Sequence, residues 1–195
     1  NKLLPLRLFA EVNEGKPTGA NDFFYVKREI AEKFRIEKRY LLPGLMRPRG
    51  NNFLELLPEH LDRYFFTVNE ERSKLKGTGA LSYIKYGEQL KMPSGSTYKG
   101  KPDWYRFGAR EPADLILPCG IGDRMYCSLN KARAISSNSF TEIRLKDKNH
   151  AEAIWAFFNS SIGWLLIELN GRSAMGGGML KVDPTDIRKI QIISP

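Results

Sequence analysis

Cysteine and histidine are scarce in this sequence of 195 residues, which contains only Cys119, Cys127, His60 and His150. The two cysteines form no CxxC pair, so a disulfide scaffold is excluded and a zinc site is disfavoured. Long hydrophobic runs are also missing, because the most apolar stretch, residues 153–169, is interrupted by polar residues and is too short to cross a bilayer. The chain shows no signal-peptide pattern and no initiator methionine. We therefore expect a cytoplasmic protein without a membrane partner, and a piece of a longer chain.

Motifs that carry catalysis are missing as well. The sequence contains no GxxxxGK[ST], GxGxxG, GxSxG or HExxH pattern. Two glycine groups, at residues 120–122 and 176–178, lie outside any recognisable strand–loop–helix unit. Tight turning or close backbone approach is the better interpretation of these glycines than a phosphate-cofactor loop. The aspartates are scattered through turn-like segments, so no catalytic centre is predicted.

Positive charge is abundant and unevenly distributed. The chain has 31 Lys and Arg against 22 Asp and Glu, which gives a net charge of +9. Residues 1–50 carry 11 basic and 6 acidic side chains and residues 101–150 carry 9 and 6, whereas residues 151–195 carry 4 of each. Because a basic surface attracts phosphate without reading sequence, a polyanionic partner is the natural inference. A generic basic surface is the alternative.

The pattern of elements predicts an α+β fold. Strand-like segments come first and helices late, which favours a mixed, twisted β-sheet with a buried C-terminal helix and long basic loops. Strands are predicted at residues 6–12, 23–26, 54–57, 64–68, 115–118, 125–129, 140–145 and 190–193, and short helices at 28–34 and 185–189. Hydrophobic residues make up 42% of the chain, enough for a core.

The clearest predicted element is a helix from about residue 151 to residue 170. Asn149 and Glu152 approximate a capping box at its start, and Gly171 marks its expected end. Apolar residues occupy nearly all sides of this helix, which is typical of a core helix. Further on, Asp183 before Pro184 places an N-cap ahead of a proline at the first helical position.

Several loops combine cationic or amide side chains with small or planar residues, as DNA-binding loops do. Arginine can bind guanine with two hydrogen bonds, asparagine can pair with adenine, and lysine and threonine serve phosphates. The candidate DNA-binding residues are Lys16, Thr18, Asn21, Arg47, Arg49, Lys99, Lys101, Trp104, Tyr105, Arg106, Arg110, Arg124, Lys131 and Arg133. For any one member a solvated loop is an equally good interpretation, and residues like Trp104 and Tyr105 are more often core. The prediction of DNA binding therefore rests on the set of residues as a whole.

Several blocks of sequence, taken in order, resemble one known family. These blocks are TGANDFF (18–24), WY (104–105) with Arg110, ADLILP (113–118), NSF (138–140), FNSSIG (158–163), ELNGR (168–172) and MGGGMLKV (175–182). Together they are similar to the TaqI-like C-terminal target-recognition domain of N6-adenine DNA methyltransferases, found in restriction–modification enzymes. The resemblance spans nearly the whole chain, and the blocks resemble fold-determining segments, so Asn159 and its serine neighbours are expected to pack or cap.

The resemblance implies a target-recognition domain over residues 1–195, either single or with two lobes of about 1–100 and 101–195. Such a domain holds double-stranded DNA against a methyltransferase catalytic domain, in the same or a partner chain, that flips and methylates adenine. The catalytic (Asn/Asp)-Pro-Pro-(Tyr/Phe) motif and the glycine-rich cofactor loop are absent here. We therefore expect no catalytic residue, metal or cofactor in this chain. The resemblance implies that the parent enzyme binds S-adenosylmethionine. Whether an endonuclease is fused to that enzyme is left open by the sequence.

Two alternatives stay open at this stage. The chain is also compatible with a specificity-subunit fragment that mainly scaffolds a methylase partner, although no long heptad segment supports this. A phosphate-ligand-binding enzyme that uses the glycine loops is disfavoured by the missing motifs.

Overall fold

A computed structural model describes residues 3–50, 52–92, 97–108, 111–122, 124–175 and 179–193. Over these residues the chain has an α+β fold, as predicted. The strands are β1 (Leu3–Pro5), β2 (Ala10–Glu14), β3 (Tyr25–Lys27), β4 (Leu41–Leu45), β5 (Arg63–Phe66), β6 (Leu115–Pro118), β7 (Gly120–Ile121), β8 (Ser128–Leu129), β9 (Ile135–Ser136), β10 (Phe140–Leu145), β11 (Arg172–Met175), β12 (Met179–Lys181) and β13 (Gln191–Ile193). The α-helices are α1 (Asn21–Phe24), α2 (Arg28–Lys33), α3 (Gly79–Gln89), α4 (Ala151–Phe158), α5 (Ser161–Asn170) and α6 (Pro184–Ile187).

One four-stranded sheet, in the order β2-β10-β6-β8, joins distant parts of the chain. Its β10 strand pairs antiparallel with β2 on one side and with β6 on the other. Leu115, Ile143 and Leu145 of this sheet are buried against Ile154 and Phe158 of α4. The sheet therefore fixes residues 10–14 of the chain beside residues 140–145.

A second four-stranded sheet, in the order β3-β5-β4-β9, supports a core of aromatic rings. In this core Phe23 stacks on Tyr83 with ring centroids 4.4 Å apart, and Trp104 packs against Phe24. Gly87 of α3 is required here, because an added Cβ would lie 2.5 Å from Cη2 of Trp104. The last strand of this sheet, β9, runs parallel to β4. The segment that follows β9 therefore lies near the loop that follows β4.

The remaining strands form two small sheets, β1-β13 and β11-β12-β7. In the first, Leu3 lies opposite Ile193, so the beginning and end of the described chain are held together. In the second, β12 pairs with β7 and lies next to α6, which begins at Pro184 as predicted. The capping box there is formed by Asp183 and Asp186.

The structure confirms several predicted elements and corrects others. Strands at 115–118 and 140–145 and the helix at 28–34 are present, each within a residue or so of its predicted ends. The prediction of a strand at 54–57 was wrong, because this segment forms only an isolated bridge from Glu55 to Leu129. Residues 23–24 complete a short helix instead of starting a strand, since the Ala20 carbonyl accepts the backbone N–H groups of both phenylalanines.

The predicted helix at 151–170 is divided into α4 and α5 at Asn159 and Ser160. Ser160 has an extended backbone, and its hydroxyl oxygen accepts the Gly163 N–H as the N-cap of α5. Gly163 then lies so close to the Phe157 carbonyl that a side chain would not fit. After this turn only Gly163 and Ile167 of α5 are buried, so its apolar composition overstates its burial.

Asn159 joins α4 to the residue that precedes β8. Its Oδ1 accepts the Cys127 N–H at 2.9 Å, and its Nδ2 donates to the Cys127 carbonyl at 2.9 Å. The same Nδ2 also donates to the Trp155 carbonyl, also at 2.9 Å. The Asn159 side chain thus makes the two backbone hydrogen bonds to Cys127 that a neighbouring strand makes in a sheet. This agrees with the expectation that Asn159 packs or caps.

We predict that Asn159→Ala lowers the free energy of unfolding by about 1–3 kcal/mol, because the Cys127 N–H loses its partner and the Cys127 carbonyl loses one donor while it keeps the Trp155 indole N–H. The measurement is urea unfolding followed by circular dichroism. Asn149→Ala is the control, since Asn149 is exposed and its side chain makes no hydrogen bond to the described residues. Equal stabilities of the two variants would contradict the proposed role of Asn159.

Candidate nucleic-acid interface

A cleft of about 930 Å³ lies in the described part of the molecule. Its lining comes from the loop that follows β4, from the residues at the β6–β7 junction, from Lys181 of β12, from the start of α6 and from the turn before β10. The lining residues are Glu14, Pro48, Arg49, Cys119, Gly120, Asn138, Ser139, Met179, Lys181, Asp183, Pro184, Thr185 and Arg188.

Side-chain contacts link the predicted loops to the turn at this cleft. Asn21 Nδ2 donates to Asn138 Oδ1 at 3.1 Å, although the two residues are 117 positions apart. Arg47 forms an ion pair with Asp22 at 3.2 Å, with both side chains largely exposed. Of the predicted residues, Arg49 thus lines the cleft, Asn21 is bonded to the cleft residue Asn138, and Arg47 is linked to the Asn21 loop through Asp22.

A basic patch lies beside the Asn21 loop. Lys16 is bridged to Ser137, and its Nζ lies 5.0 Å from the centroid of the Phe107 ring. Lys99 and Lys101 are exposed on the turn that begins at Tyr98, and the Tyr98 hydroxyl donates to the Thr18 carbonyl. This contact holds the turn with Lys99 and Lys101 against the loop that leads to Asn21.

Three predicted residues are buried. Thr18 donates from its hydroxyl to Asn21 Oδ1 at 2.5 Å, and its carbonyl accepts the Tyr98 hydroxyl. Burial raises the pKa of Tyr98 to about 12, so this hydroxyl stays a donor at neutral pH. Trp104 and Tyr105 belong to the aromatic core. None of the three is accessible to DNA in this arrangement, and their role is to hold the loops in place.

The remaining predicted residues lie apart from the cleft. Lys131 and Arg133 precede β9, whereas the cleft turn follows it, and they form ion pairs with Glu55 and Glu111. Two further cations are exposed: Arg106 pairs with Asp103 at 2.8 Å, and Arg124 lines a smaller pocket of about 320 Å³ beside Trp164. Arg110 lies outside the described residues.

Sequence reasoning missed Asn138, Lys181, Thr185 and Arg188 as cleft residues. Asn138 belongs to one of the blocks that carried the family resemblance, but it was not singled out for binding. Arg188 donates from its guanidinium to the Val12 carbonyl, an interaction across 176 positions that local sequence does not signal. Only the pairing of β2 with β10 and the capping of α6 bring these residues together.

The cleft contains both signs of charge. Arg49, Lys181 and Arg188 face it together with Glu14 and Asp183. Lys181 Nζ lies 3.4 Å from Asp183, and Arg172 also pairs with that carboxylate. Arg49, in contrast, makes no ion pair with the described residues, so its charge is available. Burial raises the pKa of the Cys119 thiol, so Cys119 adds no charge to the cleft at physiological pH.

In the described part of the chain, no helix has the length and apolar character needed to cross a membrane.

Comparison with known proteins gives three findings. The whole chain, residues 1–195, matches the family of the type II methyltransferase M.Eco57I C-terminal domain. It is 24% identical over 199 residues to the type II methyltransferase M.AccI of Acinetobacter calcoaceticus, a match that covers 96% of this chain and 36% of that protein. A structure described as that of the type IIG restriction endonuclease BpuSI matches with a TM-score of 0.68 at 13% identity, covering 98% of this chain and 24% of that chain.

The structural match shows a shared fold, and the family match covers the full chain. In both relatives the matching region is a minor part of a longer protein, about a third of M.AccI and a quarter of BpuSI. The chain belongs to the family of C-terminal domains of type II methyltransferases related to M.Eco57I.

Proposed function

We propose that this chain is the target-recognition domain of a site-specific DNA adenine methyltransferase in a restriction–modification system. In this proposal the chain binds double-stranded DNA and does not itself transfer the methyl group. Binding of S-adenosylmethionine and the reaction at the adenine belong to a separate catalytic region. The relatives are long enough to contain such a region, because the match covers only 36% of M.AccI and 24% of the BpuSI chain. The family and the resemblance to TaqI-like recognition domains support this assignment.

One observation carries the proposal. The fold brings Arg49, from the basic first quarter of the chain, together with Asn138, Lys181 and Arg188 in one cleft, and Asn21 is bonded to Asn138. Cations that line a concave surface suit contacts to the phosphates of DNA. The basic patch of Lys16, Lys99 and Lys101 lies beside the Asn21 loop, so the DNA backbone would continue across it.

The amide pair Asn21–Asn138 is the part of this surface best suited to reading a base. Asn138 is exposed, and its Nδ2 donates no hydrogen bond to the described residues, while its Oδ1 is fixed by Asn21. An asparagine held in this way can present a donor and an acceptor to the N7 and N6 edge of adenine. Arg47 and Arg49 beside it would anchor phosphates and set the register.

We predict that Arg49→Ala weakens binding to a duplex roughly tenfold, because a charged hydrogen bond to phosphate is lost. If about five phosphates are neutralised, log K against log salt has a slope of about −4 to −5 for the unchanged chain, and the variant lowers its magnitude by about 1. Fluorescence anisotropy with a labelled duplex at several salt concentrations measures both quantities.

Arg133→Ala is the matched control for Arg49→Ala. It removes the same charge from an exposed arginine that is paired with Glu111 and lies before β9, away from the cleft. We expect its affinity to stay within about twofold of the unchanged chain, since exposed pairs contribute little. Equal losses in the two variants would show that net charge alone drives binding, and would contradict a cleft-centred interface.

We predict that Asn138→Ala reduces sequence preference without changing the salt slope. A lost pair of hydrogen bonds to a base corresponds to about 1–3 kcal/mol, or at least about a fivefold fall in the ratio of specific to random affinity. Selection from a randomised duplex pool, followed by anisotropy on the enriched sequence, gives this ratio. A uniform loss on all sequences, or an unchanged ratio, would remove Asn138 from the base-reading surface.

A further inference from the structure

The helix α5 has the composition of a core helix but lies on the surface. Ile162, Leu165 and Leu169 are 61%, 54% and 71% exposed, and their spacing places them along one side of the helix. Trp164 beside them is also exposed. The buried residues of this helix are Gly163 and Ile167, and Leu166 is partly buried against the same core. A large apolar surface of this kind on a globular protein marks a place where another surface binds.

A second exposed apolar area belongs to an element on the same core cluster. Leu3 and Ile193 are cross-strand partners in the β1-β13 sheet, and both are at least half exposed. Their neighbour Ile192 and the buried Ile167 of α5 belong to that one cluster. Both exposed areas are thus carried by elements that pack on one core, and the second lies at the start of the described chain.

The charge of this region argues against DNA as the partner. Residues 151–195 carry four basic and four acidic side chains, and α5 contains only one charged residue, Glu168. DNA binding depends on cationic contacts to phosphate, which this helix cannot provide. The basic groups lie instead around the cleft and the neighbouring patch.

The length of the relatives indicates what covers this surface. The matched region is 36% of M.AccI and 24% of the BpuSI chain, so most of each protein lies outside it. The family is defined as a C-terminal domain, which places the remaining methyltransferase sequence ahead of the matched region. A preceding part of the polypeptide would enter at β1, next to Leu3.

We propose that the α5 stripe, defined as Ile162, Leu165 and Leu169, is the surface on which the catalytic methyltransferase region docks. This inference rests on the proposed function for the identity of the partner. Helix α6 contacts α5 and also lines the cleft through Pro184 and Thr185, and Arg188 directly after the helix lines it as well. Docking at α5 thus sets the catalytic region beside the DNA-binding cleft, where a flipped adenine must be delivered.

Hydrogen–deuterium exchange tests the docking directly. The 195-residue chain is compared with the full-length polypeptide that contains it, and peptides of α5 are followed with α3 as the internal reference. We expect α5 amides to exchange at least tenfold more slowly in the full-length protein, with α3 unchanged. Equal exchange of α5 in the two proteins overturns the proposal, as does a full-length polypeptide that contains no methyltransferase region.

A substitution pair tests the consequence for activity. In the full-length protein, Leu165→Glu combined with Leu169→Glu is expected to lower DNA methylation at least tenfold. Leu90→Glu is the control, because Leu90 is 48% exposed beyond the end of α3, and it should change methylation less than twofold. The same substitutions in the 195-residue chain should leave duplex affinity within twofold, and circular dichroism verifies that both variants are folded.

The outcomes separate this inference from the proposed function. If the 195-residue chain fails to bind DNA but α5 is protected in the full-length protein, recognition is wrong and docking stands. If duplex binding is intact but the α5 variants methylate normally, the docking proposal is overturned. Sedimentation of the chain alone provides a further check, since a dimer that the α5 substitutions dissociate would assign the surface to a second copy instead.

Discussion

The pairing of β10 with both β2 and β6 is the constraint on which the rest of the structure depends. These two antiparallel ladders bring residues 10–14 beside residues 140–145 and leave the turn at Asn138 next to Lys16 and Asn21. Buried Glu142 within β10 is held by the Ser136 hydroxyl at 2.8 Å and by Arg144. A buried carboxylate with fixed partners favours one register of the strands, because a slip by one residue would leave its charge unpaired.

Elements set by local sequence were predictable, and elements set by distant contacts were not. Strand β10, the start of α6 after Asp183, and the end of α5 at Gly171 all follow from spacing and capping residues. The break at Asn159 and Ser160 was not predicted: Ser160 caps α5 locally, but the hydrogen bonds that fix Asn159 lie on Cys127, 32 positions away. Residues 54–57 have the composition of a strand but find only one bridge partner, at Leu129.

In the candidate site, too, some features follow from local sequence and others depend on distant contacts. Composition identified cationic and amide loops, and of these residues Arg49 lines the cleft while Asn21 is bonded to Asn138, which also lines it. It could not separate Arg49, which has no ion-pair partner among the described residues, from Arg133, which is paired with Glu111. Nor could it show that Thr18, although in a polar loop, is enclosed by the Tyr98 hydroxyl and the Asn21 amide. Charge is visible in a sequence, but its availability depends on tertiary neighbours.

The pairing of Leu3 with Ile193 places two segments from opposite ends of the described chain side by side. A short linker between two such segments, with the chain reopened in an exposed loop, leaves the internal strand pairing uncut. Circular permutation at this edge would therefore keep both four-stranded sheets intact.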